Sequence, residues 1–168
     1  GIELDARITD LENSIYEKAG QSFNIKSPKQ LGVVLFEDMG IPYPGRSKKK
    51  TGYSTSVDVL EKLRDEQPIV NDILEYRKAT KLKSTYIEGL IALIADDSKI
   101  HPHFNQTVAA TGRISCTEPN LQNIPIRDEY GRNIRKAFVT SDENHTFIGA
   151  DYSQIELRIL AALSGDES

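Results

Sequence analysis

Apolar residues recur at helical spacing through most of the first 95 positions and lose that rhythm afterwards. Ile2, Leu4, Ile8, Leu11 and Ile15 fall near one face of a helix over 2–19. "SPKQLGVVLFEDMG" predicts a second helix, with Ser27 as N-cap, Pro28 at the first helical position and Gly40 closing it. "TSVDVLEKLRDE", opened by Thr55 or Ser56, predicts a third. From Pro68, the residues Ile69, Ile73, Leu74, Tyr76, Leu82, Tyr86, Ile87, Leu90, Ile91 and Ile94 continue at three- and four-residue steps. That spacing predicts one helix of about seven turns, reaching to about Ala95. "IPYPGRSKKKTGYST" is punctuated by prolines and glycines and reads as a loop. Residues 98–130 are turn-rich, with Pro102, Gly112, Pro119 and Pro125. "GRNIRKAFVT" fits one helical turn running into a strand, and "HTFIGAD" a strand over 146–151. "SQIELRILAALSG" then predicts a last helix ended by Gly165. The fold class is α+β, predominantly α, with helices first and a small sheet last.

Charge changes this picture more than composition does. No stretch approaches the ~20 apolar residues of a membrane span. The start, "GIELDARITDLENSI", is acidic and unlike a secretory signal. Cys116 is the only cysteine, which excludes an internal disulfide and fits a reducing cytoplasm. The net charge is −4, but it is segregated. Residues 1–20 carry −3 and 141–168 carry −5, whereas 41–53 carry +4 and 99–136 carry +3. A basic middle between acidic ends can build a local positive face on an acidic protein. Chance clustering of surface charge accounts for the same numbers.

Three stretches carry candidate chemistry. Asp151 ends the apolar run Phe147–Ala150, and Glu156 follows inside the next helix. An acid on a rigid strand end can hold a hard divalent cation. The plainer account makes Asp151 a turn residue, and Ser153-Gln154-Ile155-Glu156 a capping box. "TGRISCTEPNLQNIPIR" gathers the planar donors Arg113, Asn120, Gln122, Asn123 and Arg127. Donors of this kind suit the minor groove of a duplex, where acceptors face outward at every base pair. A polar loop satisfying its own backbone would look similar. In the long helix, Arg77 and Lys81 are four apart on one face, which fits a phosphate contact or a solvated surface. His101 and His103 have no nearby partner in sequence to suggest a metal site, and Cys116 has no activating base.

The residues of these stretches carry a resemblance. "DYSQIELR", Asp151 to Arg158, resembles motif A of the family A DNA polymerases, the bacterial DNA polymerase I family. "TGRISCTEPNLQNIPIR" resembles the family's preceding signature, and "LEYRKATKLKSTYIEGL" its thumb helix. The resemblance runs from about Ile2 to the end of the chain. It implies a connecting helix at the palm base over 1–27, thumb helices over 28–97 with a basic loop at 44–53, and a partial palm with an antiparallel sheet over 98–168.

The resemblance also implies roles. Asp151 and the carbonyl of Tyr152 would bind Mg²⁺, two ions serving the complete site. Glu156 would be a steric gate against the ribonucleotide 2′-hydroxyl, with Gln154, Ile155 and Arg127 beside the deoxynucleoside triphosphate. Arg113, Asn120, Gln122 and Asn123 would follow the minor groove of the primer–template duplex. Arg77, Lys81 and Lys48, Lys49 and Lys50 would hold its phosphates. The family's fingers helix and the palm hairpin with the second catalytic aspartate have no counterpart in these 168 residues. The expectation is therefore a piece of a polymerase, inactive alone. The alternatives are a duplex-binding module without chemistry and a Mg²⁺-dependent nuclease or phosphatase using Asp151.

Overall fold

The computed structural model describes residues 2–45, 52–126 and 129–165. The chain forms two compact units, Gly1–Arg135 and Lys136–Ser168.

In the first unit, α1 (Ile2–Ala19) packs lengthwise on α4 (Pro68–Lys81). The apolar stripe read from the sequence supplies the contact, because Leu4, Leu11 and Ile15 are buried on α1. Ile69, Val70, Ile73 and Tyr76 meet Leu11 and Ile15 from α4 within one core, while Leu4 packs in a second cluster with Ala79 and Leu82. Polar bonds pin the pair at its rim. The Tyr76 hydroxyl donates to Glu12 at 2.8 Å, Ser14 Oγ donates to Asp72 at 2.7 Å, and Lys18 pairs with the same Asp72.

Ser27 caps α2 (Pro28–Val33) as predicted, its Oγ accepting from the Gln30 N–H. The helix continues through a wider turn, Val34–Asp38, and Gly40 follows with φ +68°. That left-handed conformation suits a residue without Cβ. Beyond it, the rings of Phe36, Tyr43 and Tyr53 cluster with centroids 4.9–5.1 Å apart. The third predicted helix is shorter than its pattern: α3 covers Val57–Glu61 and gives way to turns.

The long helix is continuous but not uniform. After α4 it widens into a π-type segment, Leu82–Glu88, before α5 (Gly89–Ile91). Thr80 and Ser84 turn their hydroxyls back onto carbonyls at Tyr76 and Thr80, a habit that distorts helical turns. The helix stops at Ile91 rather than near Ala95. Ile91, Leu93 and Ile94 are 46–63% exposed, so no packing supports further turns.

The sheet consists of β1 (His103–Asn105) and β2 (Ser115–Thr117), antiparallel, with Phe104 opposite Cys116. The α+β, mainly helical class holds, but this sheet is not where the sequence pattern placed it. Residues 145–152 form no strand. Phe147 and Ile148 are 70% and 88% exposed, and no described strand lies alongside to take their backbone bonds. An apolar run that needs cover on both faces does not make a strand alone.

α6 (Glu129–Lys136) replaces the predicted single turn and strand. The second unit carries α7 (Ile155–Ser164), closed by Gly165 in the left-handed region. None of its described residues is buried.

Candidate nucleic-acid interface

Two adjoining depressions open on the outer side of α4. The first, about 360 Å³, is lined by Lys26, Tyr76, Arg77, Thr80, Lys81 and Ser84 together with Ile25. The second, about 680 Å³, is lined by Lys26, Ser27, Lys29, Arg77 and the segment Tyr53–Ser56 together with Pro28. They share Lys26 and Arg77. Four cations and several hydroxyls face this surface, and no carboxylate is among the lining residues. Such a surface attracts anions, and its cations come from both α4 and residues 26–29 at the start of α2.

Arg77 does more here than its helical spacing implied. Its guanidinium donates to the carbonyl of Thr55 and, at 3.0 Å, to Thr55 Oγ1. Burial pushes its pKa down, and it remains charged because arginine starts so high. Five N–H donors leave it donors beyond those two bonds. Arg77 therefore ties the 53–56 segment to α4 while contributing charge to the depression. Lys81 lies one turn on, exposed. The sequence reading missed Lys26 and Lys29. They flank the N-cap Ser27 in "KSPK", and only the fold carries that cap across to the face of Arg77 and Lys81. Lys48, Lys49, Lys50 and Arg127, expected at phosphates or near the nucleotide, lie outside the described residues.

The amide-rich loop is built largely from its own polar groups. Asn120 Oδ1 accepts from the Gln122 N–H at 3.1 Å and starts the 3₁₀ turn Leu121–Asn123. Gln122 Nε2 donates to the Ile114 carbonyl at 3.2 Å. Cys116 is buried beneath, its thiol 3.3 Å from the Pro119 carbonyl. So two of the predicted groove-reading amides also hold the loop in shape. Asn120, Gln122, Asn123 and Arg113 are all exposed on it.

In the second unit, Asp151 and Tyr152 are exposed in an irregular segment leading to α7. The expected capping box does not form. Gln154, not Ser153, is the N-cap, in the left-handed region at φ 55°, with no side-chain cap bond. Ser153 instead offers its carbonyl to Arg158 Nε at 2.8 Å. With Gln154 at the cap position, Ser153 stands one residue too early to cap the helix. Ile155 and Glu156 occupy the first turn of α7, where a carboxylate is favoured by the helix dipole. The histidines pair with acids: His101 with Asp97 at 2.9 Å, and His103 with Glu118 at 3.8 Å.

The chain as a whole has counterparts in sequence and in fold among known proteins. The sequence profile of DNA polymerase family A matches residues 1–168, and the chain belongs to that family. It is 58% identical to the DNA polymerase I of Bacillus subtilis over 169 residues, which is all of this chain and 19% of that protein. It is 49% identical to the thermostable DNA polymerase I of Thermus thermophilus, over 99% of this chain and 20% of that one. Among solved structures it resembles the POL domain of Pol1 from M. smegmatis in complex with DNA primer-template and dNTP. The TM-score is 0.81 at 47% identity, covering 98% of this chain and 29% of that one. The chain spans about a fifth of the length of the curated relatives it matches.

Proposed function

We propose that this chain is the thumb and the first part of the palm of a bacterial DNA-directed DNA polymerase, which extends a primer 3′-hydroxyl with deoxynucleoside triphosphates. The observation that carries the reading is the cation-lined, carboxylate-free face of Lys26, Lys29, Arg77 and Lys81 in a chain of this family. On this reading residues 28–97 are thumb and 98–168 palm. The face follows the phosphates of a primer–template duplex, aided by Lys48, Lys49 and Lys50. Contacts to phosphate give affinity without sequence preference, as a polymerase requires. Arg113, Asn120, Gln122 and Asn123 meet the minor groove, where purine N3 and pyrimidine O2 accept at every pair.

The chemistry belongs to the second unit. Asp151 and the Tyr152 carbonyl offer hard oxygen donors on an exposed turn, the donor type Mg²⁺ takes. They are part of a site and not the whole of one, because Mg²⁺ needs more fixed oxygens. Among the described residues no three His, Cys, Asp or Glu side chains gather into a metal site. When bound, the ions activate the 3′-hydroxyl and neutralise charge on the leaving pyrophosphate. Glu156, with Gln154 and Ile155 beside it, occupies the sugar side of the nucleotide and excludes a 2′-hydroxyl. Arg127 serves the triphosphate on the same reading. The work of the polymerase is replication and repair in the cytoplasm. Among the described residues no helix is long and apolar enough to cross a membrane.

The test is a titration of labelled primer–template duplex with the 168-residue chain at several salt concentrations, run beside a primer-extension assay. Each of Lys26→Ala, Lys29→Ala and Lys81→Ala should lower the log–log salt slope by about 0.9. An unchanged slope in the triple variant sinks the phosphate-face reading. Cleavage of DNA or release of phosphate by the chain would favour the nuclease or phosphatase alternative.

A further inference from the structure

Three successive carbonyls at the end of the amide-rich loop are each held by a side chain from elsewhere. The Tyr86 hydroxyl, on the widened part of the long helix, donates to the Asn123 carbonyl at 2.7 Å across 37 positions of sequence. Arg135, on α6, donates from its Nη2 to the Ile124 carbonyl at 2.9 Å and from Nε to the Pro125 carbonyl at 3.3 Å. Gly131, one turn before Arg135 on the same helix, is buried against this segment. A Cβ there would lie 2.6 Å from the Pro125 oxygen and 2.7 Å from its Cβ. The absence of a side chain at Gly131 thus lets α6 approach closely enough for Arg135 to reach both carbonyls. On the other side, Gln122 fastens the loop to Ile114, next to β2.

Ile124 is buried and its carbonyl needs a donor in any case, but the exposed Asn123 carbonyl does not. A surface loop satisfies its carbonyls with water at little cost. Here a phenol from the helix and a planar, forked cation from α6 fix three consecutive peptide units, so the loop cannot shift along either element without breaking bonds. The forked donor is suited to the task because its N–H groups keep a fixed mutual geometry, which a lysine lacks.

We infer that Tyr86, Gly131 and Arg135 are positioning residues. They hold the Asn120–Asn123 turn in register with the helix that carries the phosphate-binding face, so that the amides meet the primer-terminal pair at a fixed height. The inference rests on the proposed function and deepens it, since it concerns the same interface. Its consequence is specific to fidelity. A loop held at fixed height senses the groove edge of the terminal pair, and a mispair moves the acceptors it meets. Freeing the loop removes that sensing.

The experiment uses the full-length polymerase that carries this segment, with Tyr86→Phe, Arg135→Lys and Arg135→Met. Extension rates are measured from matched and from mispaired primer ends, with melting temperatures alongside. The ratio of matched to mispaired kcat/KM should fall by roughly 10- to 100-fold in Arg135→Met, the scale set by misplacing a positioning group by about 1 Å. It should fall less in Arg135→Lys, which keeps the charge and loses the fork. Tyr86→Phe removes a single oxygen and carries the test if Arg135→Met fails to fold. An unchanged ratio overturns the inference, whether both rates hold or both fall together, because a merely structural role lowers them in parallel. If the unsubstituted protein extends no primer at all, the polymerase reading falls and takes this one with it.

Discussion

Single side chains in this protein carry more than one duty, and the structure separates them. The spacing of Arg77 fits a phosphate contact or a solvated surface, yet the side chain also satisfies a carbonyl and a hydroxyl of Thr55, which is 4% exposed. Arg77→Met should therefore lower stability by about 1–3 kcal/mol, the cost of leaving buried acceptors without donors. Urea denaturation of the chain without DNA checks this, and an unchanged midpoint would return Arg77 to a purely surface role. Asp142 offers a test of a different kind. The His145 ring, at 2.7 Å, and then the Asn144 N–H hold its carboxyl below the usual carboxylate range. A depressed folded pKa stabilises above the unfolded carboxylate value, about 3.9, and that contribution is lost as pH falls through the lower folded value. His145→Ala should move the Asp142 midpoint upward, which carboxyl NMR titration reads directly. A midpoint that stays in place would show that the ring bond does not form in solution.

Elements are held by particular close contacts rather than by their propensities. α1 and α4 meet through fully buried residues such as Ile15 and Ile73, both 0% exposed. Ile73→Ala should cost about 2–5 kcal/mol, and a thermal melt should show it as a large drop in Tm. α6 depends instead on a residue that is missing a side chain. Gly131→Ala would press a Cβ into the Pro125 backbone, so it should destabilise by about 1–3 kcal/mol through overpacking. Hydrogen exchange at the amides of residues 121–124 and 126 should quicken with it. If exchange there is unchanged, α6 is not what holds the loop. The widened turns at Val34–Asp38 and Leu82–Glu88 were invisible to a pattern search. Periodicity of 3.6 tolerates a residue of slippage, and in the second segment the hydroxyl back-bonding of Thr80 and Ser84 leaves no hydrophobic signature.

At the scale of the whole molecule, the two units differ in what they can do alone. The first has a core, whereas the second exposes Phe147, Ile148, Leu157, Leu160 and Leu163. The 168-residue chain with Mg²⁺ and a primed template should incorporate no nucleotide. Asp151 and one carbonyl cannot clamp two ions, and positioning supplies most of the catalysis in phosphoryl transfer. In the longer polymerase, Asp151→Ala should abolish synthesis while largely sparing duplex binding, and Glu156→Ala should weaken rejection of ribonucleotides. Extension by the short chain that Asp151→Ala removes would place a working site inside these residues. What the sequence by itself determined was the set of local decisions. It placed the stripe of α1, the Ser27 cap with Pro28 behind it, the start of the long helix at Pro68, the close at Gly165, and the signature residues of the family. Each depends on neighbours within a turn or two, so each is written in a short window. What only the tertiary structure decided was every long-range pairing. The strand expected at 146–151 does not form because a strand needs a neighbour, and apolar residues in sequence cannot say whether one is there. Lys26 and Lys29 line the same depressions as Arg77 and Lys81, and Tyr86 and Arg135 bond to one loop. Those meetings are made by burial between elements far apart in the chain, and no local pattern encodes which faces will touch.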